Sequence, residues 1–147
     1  MANIPHGESG KSAAEIAREV ALMAGEMLMD RFRTPIKIEQ KGRGDVVTEV
    51  DTEVEAQVFE VLASEYPNMG MLGEESVGVR ADKGYVWVVD PLDGTRNYAS
   101  NIPFFSTVVG LVFDGEPLVG ANYDPVRDDL FEAERGNGAF LNGQPIH

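Results

Sequence analysis

The apolar run "YVWVV" at residues 85–89 limits how this chain can fold more than any other feature. Successive side chains of a strand point to opposite faces of its sheet, so a strand that is apolar at every position needs cover on both faces. Asp90 and Pro91 follow directly, and a proline favours extended geometry in the residue before it. The run therefore predicts a central strand that is buried on both faces and ends at a turn carrying acidic residues.

Two helices are predicted ahead of this strand. In residues 12–32, apolar residues recur every three or four positions beside small alanines, and Ser12 with Glu15 fits a capping box at the start. A second amphipathic pattern runs from Asp51 to about Glu65, where a Tyr-Pro pair ends it.

Strand-like runs dominate the remainder of the sequence. "IKIEQK" alternates like a short strand, and the runs at residues 104–113 and 117–123 flank an Asp-Gly pair, which is typical of a hairpin turn. Residues 128–143 predict one further strand, a turn and another short strand. Helices thus precede a hairpin-connected sheet, which predicts an α+β fold with two N-terminal helices packed on a mainly antiparallel sheet.

The composition narrows the class of protein. The chain has 147 residues and no cysteine, and none of its apolar stretches approaches the ~18 residues of a membrane span. We therefore expect no membrane insertion, a flexible lead-in over residues 1–10 and one domain over residues 11–147. With 12 basic and 25 acidic residues, the net charge of −13 disfavours binding to nucleic acid. The absence of cysteines and of a secretory pattern at the start predicts a cytoplasmic location.

Acidic residues end an apolar run or begin a helix at three places: Asp51, Glu74 with Glu75, and Asp90 with Asp93. Strand ends tend to meet at one edge of a sheet, where like charges about 4 Å apart repel by on the order of 4 kcal/mol at an effective dielectric constant near ~20. A bound cation would neutralise this repulsion, so the same carboxylates would bind the cation. The alternative is that these acids are solvated turn residues and that the excess charge serves solubility alone.

The turn after the central strand also fits an anion. Gly94 permits a sharp bend, and Thr95 begins a short helix predicted for "TRNYA", whose first amides would favour a phosphate. Oxygen ligands without cysteine favour Mg²⁺ over Zn²⁺, and Ca²⁺ fits less well. The two histidines stand near the two ends of the sequence, at His6 and His147, which argues against a catalytic triad. Carboxylates for a metal beside an anion cradle are what hydrolysis of a phosphomonoester requires.

Four segments resemble one known family. "WVVDPLDGTRNY" at residues 87–98 is similar to the first signature of the inositol monophosphatase family, which comprises Mg²⁺-dependent, lithium-sensitive phosphatases. "DVVTEVDTEVE" at residues 45–55, "GEES" at residues 73–76 and "RGNGAFLNGQPI" at residues 135–146 resemble further segments of that family, in the same order. The resemblance implies the first half of the layered αβαβα sugar-phosphatase fold.

Carried over position by position, the resemblance implies a site for two or three Mg²⁺ ions, with Mn²⁺ as an alternative. Glu74, Asp90 and the backbone carbonyl of Leu92 would hold the first ion. Asp90 and Asp93 would hold the second, and Glu74 would also contact a third, looser ion.

The resemblance implies catalytic roles as well. Thr95, oriented by Asp51, would position and deprotonate the water that attacks phosphorus, and the amides of Gly94 and Thr95 would face the phosphate. Lys41 matches a family lysine on a loop near the metals, although a solvated turn lysine explains it equally well. The implied reaction is in-line hydrolysis by a metal-activated water, with no covalent enzyme intermediate.

Family chains continue past the matched segments into a C-terminal α/β half that supplies another metal-binding aspartate and most substrate contacts. We therefore expect this chain to be the N-terminal metal-binding domain and to be weakly active or inactive alone. The full form would act on a small phosphorylated polyol or sugar, first of all inositol monophosphate, and would be a homodimer. Alternative substrates are fructose 1,6-bisphosphate, histidinol phosphate and 3'-phosphoadenosine 5'-phosphate, and the alternative class is a non-catalytic fragment or assembly module.

Overall fold

The structure is a computed structural model that describes residues 3–40, 42, 46–73 and 84–147. The helices and strands within these ranges are, in chain order, α1 (Ala13–Arg31), β1 (Ile38–Gln40), β2 (Val46–Thr48), α2 (Glu49–Glu65), β3 (Gly70–Gly73), β4 (Tyr85–Asp93), α3 (Thr95–Ala99), β5 (Ser106–Phe113), β6 (Glu116–Asp124), β7 (Asp129–Glu134), β8 (Gly138–Leu141) and β9 (Gln144–Ile146).

One seven-stranded sheet carries the fold, in the spatial order β3-β4-β5-β6-β7-β8-β9. β3 runs parallel to β4, and each later pair is antiparallel. β1 and β2 form a separate antiparallel pair. α1 packs on β5, β6 and β7, while α2 packs on β4 and on α1. The predicted α+β fold, with two helices on a mainly antiparallel sheet, is confirmed.

The buried stripe of α1 explains its close fit to the sheet. Ser12 caps the helix as predicted, because its side chain accepts a hydrogen bond of 3.1 Å from the backbone amide of Glu15. Small residues line the buried side, and Gly25 faces the ring of Tyr123 so closely that any Cβ there would collide with it. The small alanines permit this close packing, since Ala17, like the neighbouring small residues of the stripe, is fully buried.

Residues with positive φ form the turns of two hairpins in the sheet. Asp114 and Gly115 both have positive φ, 47° and 83°, as a type I′ turn requires, so the predicted hairpin forms between β5 and β6. A second pair with positive φ, Asn142 and Gly143, joins β8 to β9. The sequence predicted only two strands in residues 128–143 and did not extend the sheet to β9.

The two faces of β4 differ, and this corrects one prediction. Trp87 and Val89 face the helices and are buried, whereas Val88 on the far face is 37% exposed. Within the described ranges the strand is therefore covered on one face, and the prediction of burial on both faces is wrong there. The neighbouring far-face residues Val86 and Val108 are half-buried. Apolar side chains on this face thus remain open to contact.

The start of the chain, predicted as a flexible lead-in, lies against α2 over residues 3–10. The carboxylate of Glu65 accepts hydrogen bonds from the amide and the hydroxyl of Ser9, at 2.8 and 2.7 Å. The hydroxyl of Tyr66 donates to the carbonyl of Pro5 at 2.9 Å. The mobility of this segment stays a prediction, which amide hydrogen exchange would test.

Candidate metal and phosphate site

A β-bulge brings two of the predicted metal ligands to the same face of the sheet. Asp90 pairs with Val108 and Asp93 pairs with Ser106, so three steps along β4 match two steps along β5. In a regular strand, residues three apart point to opposite faces, and one extra residue restores the same face. Asp90 and Asp93 therefore both share the face of Val108 and Ser106. The sequence predicted that the strand ends before a turn here, whereas β4 continues through the bulge to Asp93.

Gly94 makes the bend that follows the bulge. Its φ of 93° and ψ of 37° are left-handed, and a Cβ at this position would lie 3.0 Å from the carbonyl oxygen of Phe104. A side chain here would therefore meet both backbone strain and a steric clash. Gly94 is the N-cap of α3, and the helix begins at Thr95 as predicted.

Thr95 connects this bend to α2. Its hydroxyl lies 3.0 Å from Oδ1 of Asp51 and 3.0 Å from the carbonyl oxygen of Leu92. A hydroxyl has one hydrogen to donate, and a carboxylate is the stronger acceptor. The structure thus brings together Asp51, Leu92 and Thr95, three of the residues that the resemblance singled out.

The capping box of α2 holds the carboxylate of Asp51 in place. Its Oδ2 accepts hydrogen bonds from the amide of Thr48 at 2.9 Å and from the Thr48 hydroxyl at 2.5 Å, and its own amide donates back to that hydroxyl. Asp51 is only 1% exposed. α2 consequently begins at Glu49, two residues earlier than predicted. The Thr-x-x-Asp spacing is the signal that would have identified Thr48.

Two further side chains support the loop around the bulge and α3. The buried hydroxyl of Thr107 lies 3.4 Å from the carbonyl oxygen of Asp90, its acceptor. The hydroxyl of Tyr98 donates to the carbonyl of Leu28 in α1 at 2.7 Å, and burial raises the pKa of Tyr98 to about 12. Phe32 and Phe105 pack against the Tyr98 ring, at centroid distances of 5.4 and 4.9 Å. Sequence reasoning missed these supports because they join residues far apart in the chain.

The remaining predicted site residues are Glu74 and Lys41, and both lie outside the described residues. Within the described ranges, no group of three or more Asp, Glu or His side chains is close enough to hold a metal ion. That finding covers Asp90 and Asp93 without Glu74. The donors that are described, two carboxylates on one sheet face and the Leu92 carbonyl beside them, are hard oxygens of the kind that Mg²⁺ prefers. The donor chemistry of the described part of the site therefore fits such an ion.

No helix in the described ranges is both long enough and apolar enough to span a membrane.

Comparison with known proteins gives a consistent result. The sequence matches the inositol monophosphatase family over residues 11–147. It is 37% identical over 150 aligned positions to an inositol monophosphatase of Mesembryanthemum crystallinum, covering 99% of this chain and 54% of that protein. It is 40% identical over 141 positions to a fructose-1,6-bisphosphatase/inositol-1-monophosphatase of Aquifex aeolicus. That match covers 95% of this chain and 53% of the Aquifex aeolicus protein.

A solved structure extends the similarity to the fold. The extragenic suppressor protein suhB of Bartonella henselae superposes with a TM-score of 0.86 at 34% identity, covering 90% of this chain and 53% of that one. The chain thus spans about half the length of the relatives it matches. The match extends over nearly all of the sequence, and the chain belongs to the inositol monophosphatase family.

Proposed function

We propose that this chain is the N-terminal, metal-binding part of a phosphatase that hydrolyses a small phosphate monoester. The observation that carries the proposal is the bulge in β4, which turns Asp90 and Asp93 to one face. Next to these acids, Thr95 is hydrogen-bonded to a carboxylate that is almost fully buried. The names of the relatives support inositol monophosphate as the substrate of the extended form, with fructose 1,6-bisphosphate second. Histidinol phosphate and 3'-phosphoadenosine 5'-phosphate are the remaining candidate substrates.

Asp90, Asp93, Glu74 and the Leu92 carbonyl would hold the proposed Mg²⁺ ions. When bound, the ions would supply a water of lowered pKa and would neutralise charge on the phosphate and on the leaving alkoxide. Two or three ions are expected, and Mn²⁺ would substitute for Mg²⁺. Lithium is expected to inhibit.

Thr95 is the proposed proton-handling group. Because its hydrogen is donated to Asp51, its oxygen lone pairs stay available to accept a hydrogen bond from a water. The water is thereby oriented and its proton is drawn toward the Thr95–Asp51 pair. The amides of Gly94 and Thr95 are proposed to face the phosphate, and Lys41 to add positive charge nearby. No covalent intermediate is required.

The substrate contacts and a further metal-binding aspartate are expected in a C-terminal half, because the relatives are about twice as long as this chain. The isolated chain should therefore have weak activity or none. The second candidate function, a non-catalytic assembly module, is favoured by the exposed far face of the sheet, where Val88 is 37% exposed. A homodimer and a cytoplasmic location remain proposals.

A metal titration tests the proposed site directly. Mn²⁺ binding to the chain is measured by calorimetry for the wild type, Asp90→Asn and Asp93→Asn, and for Asp30→Asn, an exposed acid of α1 that serves as a matched control. We expect each site variant to weaken binding by about tenfold or more, since each removes a charged ligand, and the control to bind as the wild type does. Equal affinity in all four proteins would refute the proposal.

Complementation separates the enzyme from the assembly module. The C-terminal half of the Aquifex aeolicus relative is added in trans, and phosphate release from inositol 1-phosphate and fructose 1,6-bisphosphate is followed with Mg²⁺. Activity that depends on both pieces and on Asp90 supports the enzyme. Stable association without activity, seen by light scattering, supports the module, and the same light-scattering measurement on the chain alone tests the homodimer.

A further inference from the structure

A second buried carboxylate lies on α2 beside the proposed site. Glu55 is one helical turn beyond Asp51, on the same face of the helix, and it is 2% exposed. Removing a carboxylate from water costs several kcal/mol unless its surroundings compensate for the loss of hydration. Sequence reasoning assigned Glu55 no role, although the segment that contains it resembles the family.

The carboxylate of Glu55 lies directly against Gly73. A Cβ built on Gly73 would be 2.6 Å from both Cδ and Oε1 of Glu55 and 2.8 Å from its Oε2. Gly73 does not have positive φ, so its backbone conformation is open to other residues. Space is therefore the reason for a glycine here, because any side chain would displace the carboxylate.

Gly73 lies beside the segment of β4 that directly precedes Asp90. It is the last residue of β3, and its partner in the parallel pair with β4 is Val89, which directly precedes Asp90. In sequence, the next residue after Gly73 is Glu74. The contact with Glu55 thus fixes the end of β3 one residue before a proposed ligand and next to another.

We infer that Glu55 is a positioning residue, whose carboxylate packs on Gly73 and thereby holds the end of β3 against β4, directly beside Asp90. The inference rests on the proposed function, because positioning has a purpose only if Asp90 binds metal. Glu55 acts through backbone packing and is not itself a ligand. A variant of the same shape should therefore keep this role.

The contact is tested first, by a double-mutant cycle on thermal unfolding that needs no metal. Gly73→Ala should lower the melting temperature by about 5 °C, because the new methyl group is forced against a buried carboxylate. In a Glu55→Ala background the same substitution should cost little, since the space has been vacated. Equal effects of Gly73→Ala in both backgrounds would overturn the inference.

Metal affinity then tests positioning. We expect Glu55→Ala to weaken Mn²⁺ binding by about tenfold, the range found for residues that orient metal ligands, at a temperature where circular dichroism shows an unchanged fold. Glu55→Gln, which keeps the shape, should restore affinity to within about threefold of the wild type. Glu60→Gln, an exposed position on the same helix, is the control.

The outcomes separate the two proposals. If the wild type binds Mn²⁺ and Glu55→Ala binds it equally well, the positioning role is refuted while the proposed function stands. If the wild type and Asp30→Asn bind no Mn²⁺, the proposed function fails and the positioning role fails with it, even where the coupling between Gly73 and Glu55 is present.

Discussion

Replacing Asp51 by asparagine should reverse the direction of hydrogen bonding at Thr95 while leaving the shape of the site almost unchanged. Asp51 accepts from the Thr48 amide and hydroxyl through Oδ2 and from the Thr95 hydroxyl through Oδ1. In the variant, the amide oxygen best faces Thr48, which has a fixed N–H donor, so the NH₂ group faces Thr95. The Thr95 hydroxyl must then accept, and its hydrogen turns to the Leu92 carbonyl, 3.0 Å away.

The cost can be worked out from these contacts. Hydrogen bonds to charged groups contribute about 1.5–3 kcal/mol and neutral ones about 0.5–1.5 kcal/mol, so each of the three bonds to Asp51 weakens by roughly 1 kcal/mol. A smaller loss comes from removing a negative charge in the first turn of α2, about 0.5 kcal/mol. Burying a neutral amide costs less free energy than burying a carboxylate, and this difference offsets part of the loss. We expect a net destabilisation of about 2 kcal/mol, or a fall in melting temperature of about 4–8 °C.

The assay is a thermal double-mutant cycle with Asp51→Asn, Thr95→Val and the double variant, followed by circular dichroism, with Asp30→Asn as the surface control. We expect coupling of about 1 kcal/mol between positions 51 and 95, because their hydrogen bond is weakened in Asp51→Asn and lost in Thr95→Val. Mn²⁺ binding should also weaken, since the Leu92 carbonyl now accepts the Thr95 hydrogen. Additivity within about 0.3 kcal/mol together with unchanged Mn²⁺ affinity would refute the reasoning.

Two further predictions concern the supports of the site and the start of the chain. Tyr98→Phe leaves the buried Leu28 carbonyl without its donor and should cost about 1–3 kcal/mol in chemical denaturation, with the aromatic packing kept; a change below about 0.3 kcal/mol would contradict this. Hydrogen bonds from Ser9 lower the pKa of Glu65 from its ordinary value of 4.5, so the attachment of residues 3–10 should be complete above that pH and should be lost as the pH falls through the lowered value. The check is amide exchange corrected for its intrinsic pH dependence: these residues should lose protection in acid, and at neutral pH in Glu65→Gln but not in Glu60→Gln. Equal protection in the wild type and in both variants would oppose the second prediction.

Local signals in the sequence were sufficient for most of the fold. The three- and four-residue spacing of α1 and the Asp114–Gly115 pair each act over a few residues, so they could be interpreted without knowledge of the rest of the chain. The exposure of the far face of the sheet could not be predicted in this way, because the exposure of Val88 depends on which elements are present to cover it.

The residues of the candidate site could be predicted from the sequence, but their arrangement in space could not. Asp90, Asp93 and Thr95 stood out by sequence, yet the bulge depends on the pairing of β4 with β5, which no local pattern reports. The contact between Asp51 and Thr95 joins residues 44 positions apart, and it was expected only from the family resemblance. The contact of Glu55 with Gly73 gave no signal, because a buried glutamate on an amphipathic helix resembles an exposed one in the sequence.

The bulge in β4 makes the number of residues between Asp90 and Asp93 part of the proposed site. Strand parity decides which side each carboxylate occupies, so inserting one residue while the bulge still takes up a single extra residue would send one acid among the packed helices, whereas deleting one residue would remove the bulge and its bend. Substitution of the two intervening residues is a milder change, because it preserves the count. The number of residues at this strand end is therefore as much a requirement of the proposed site as the aspartates themselves.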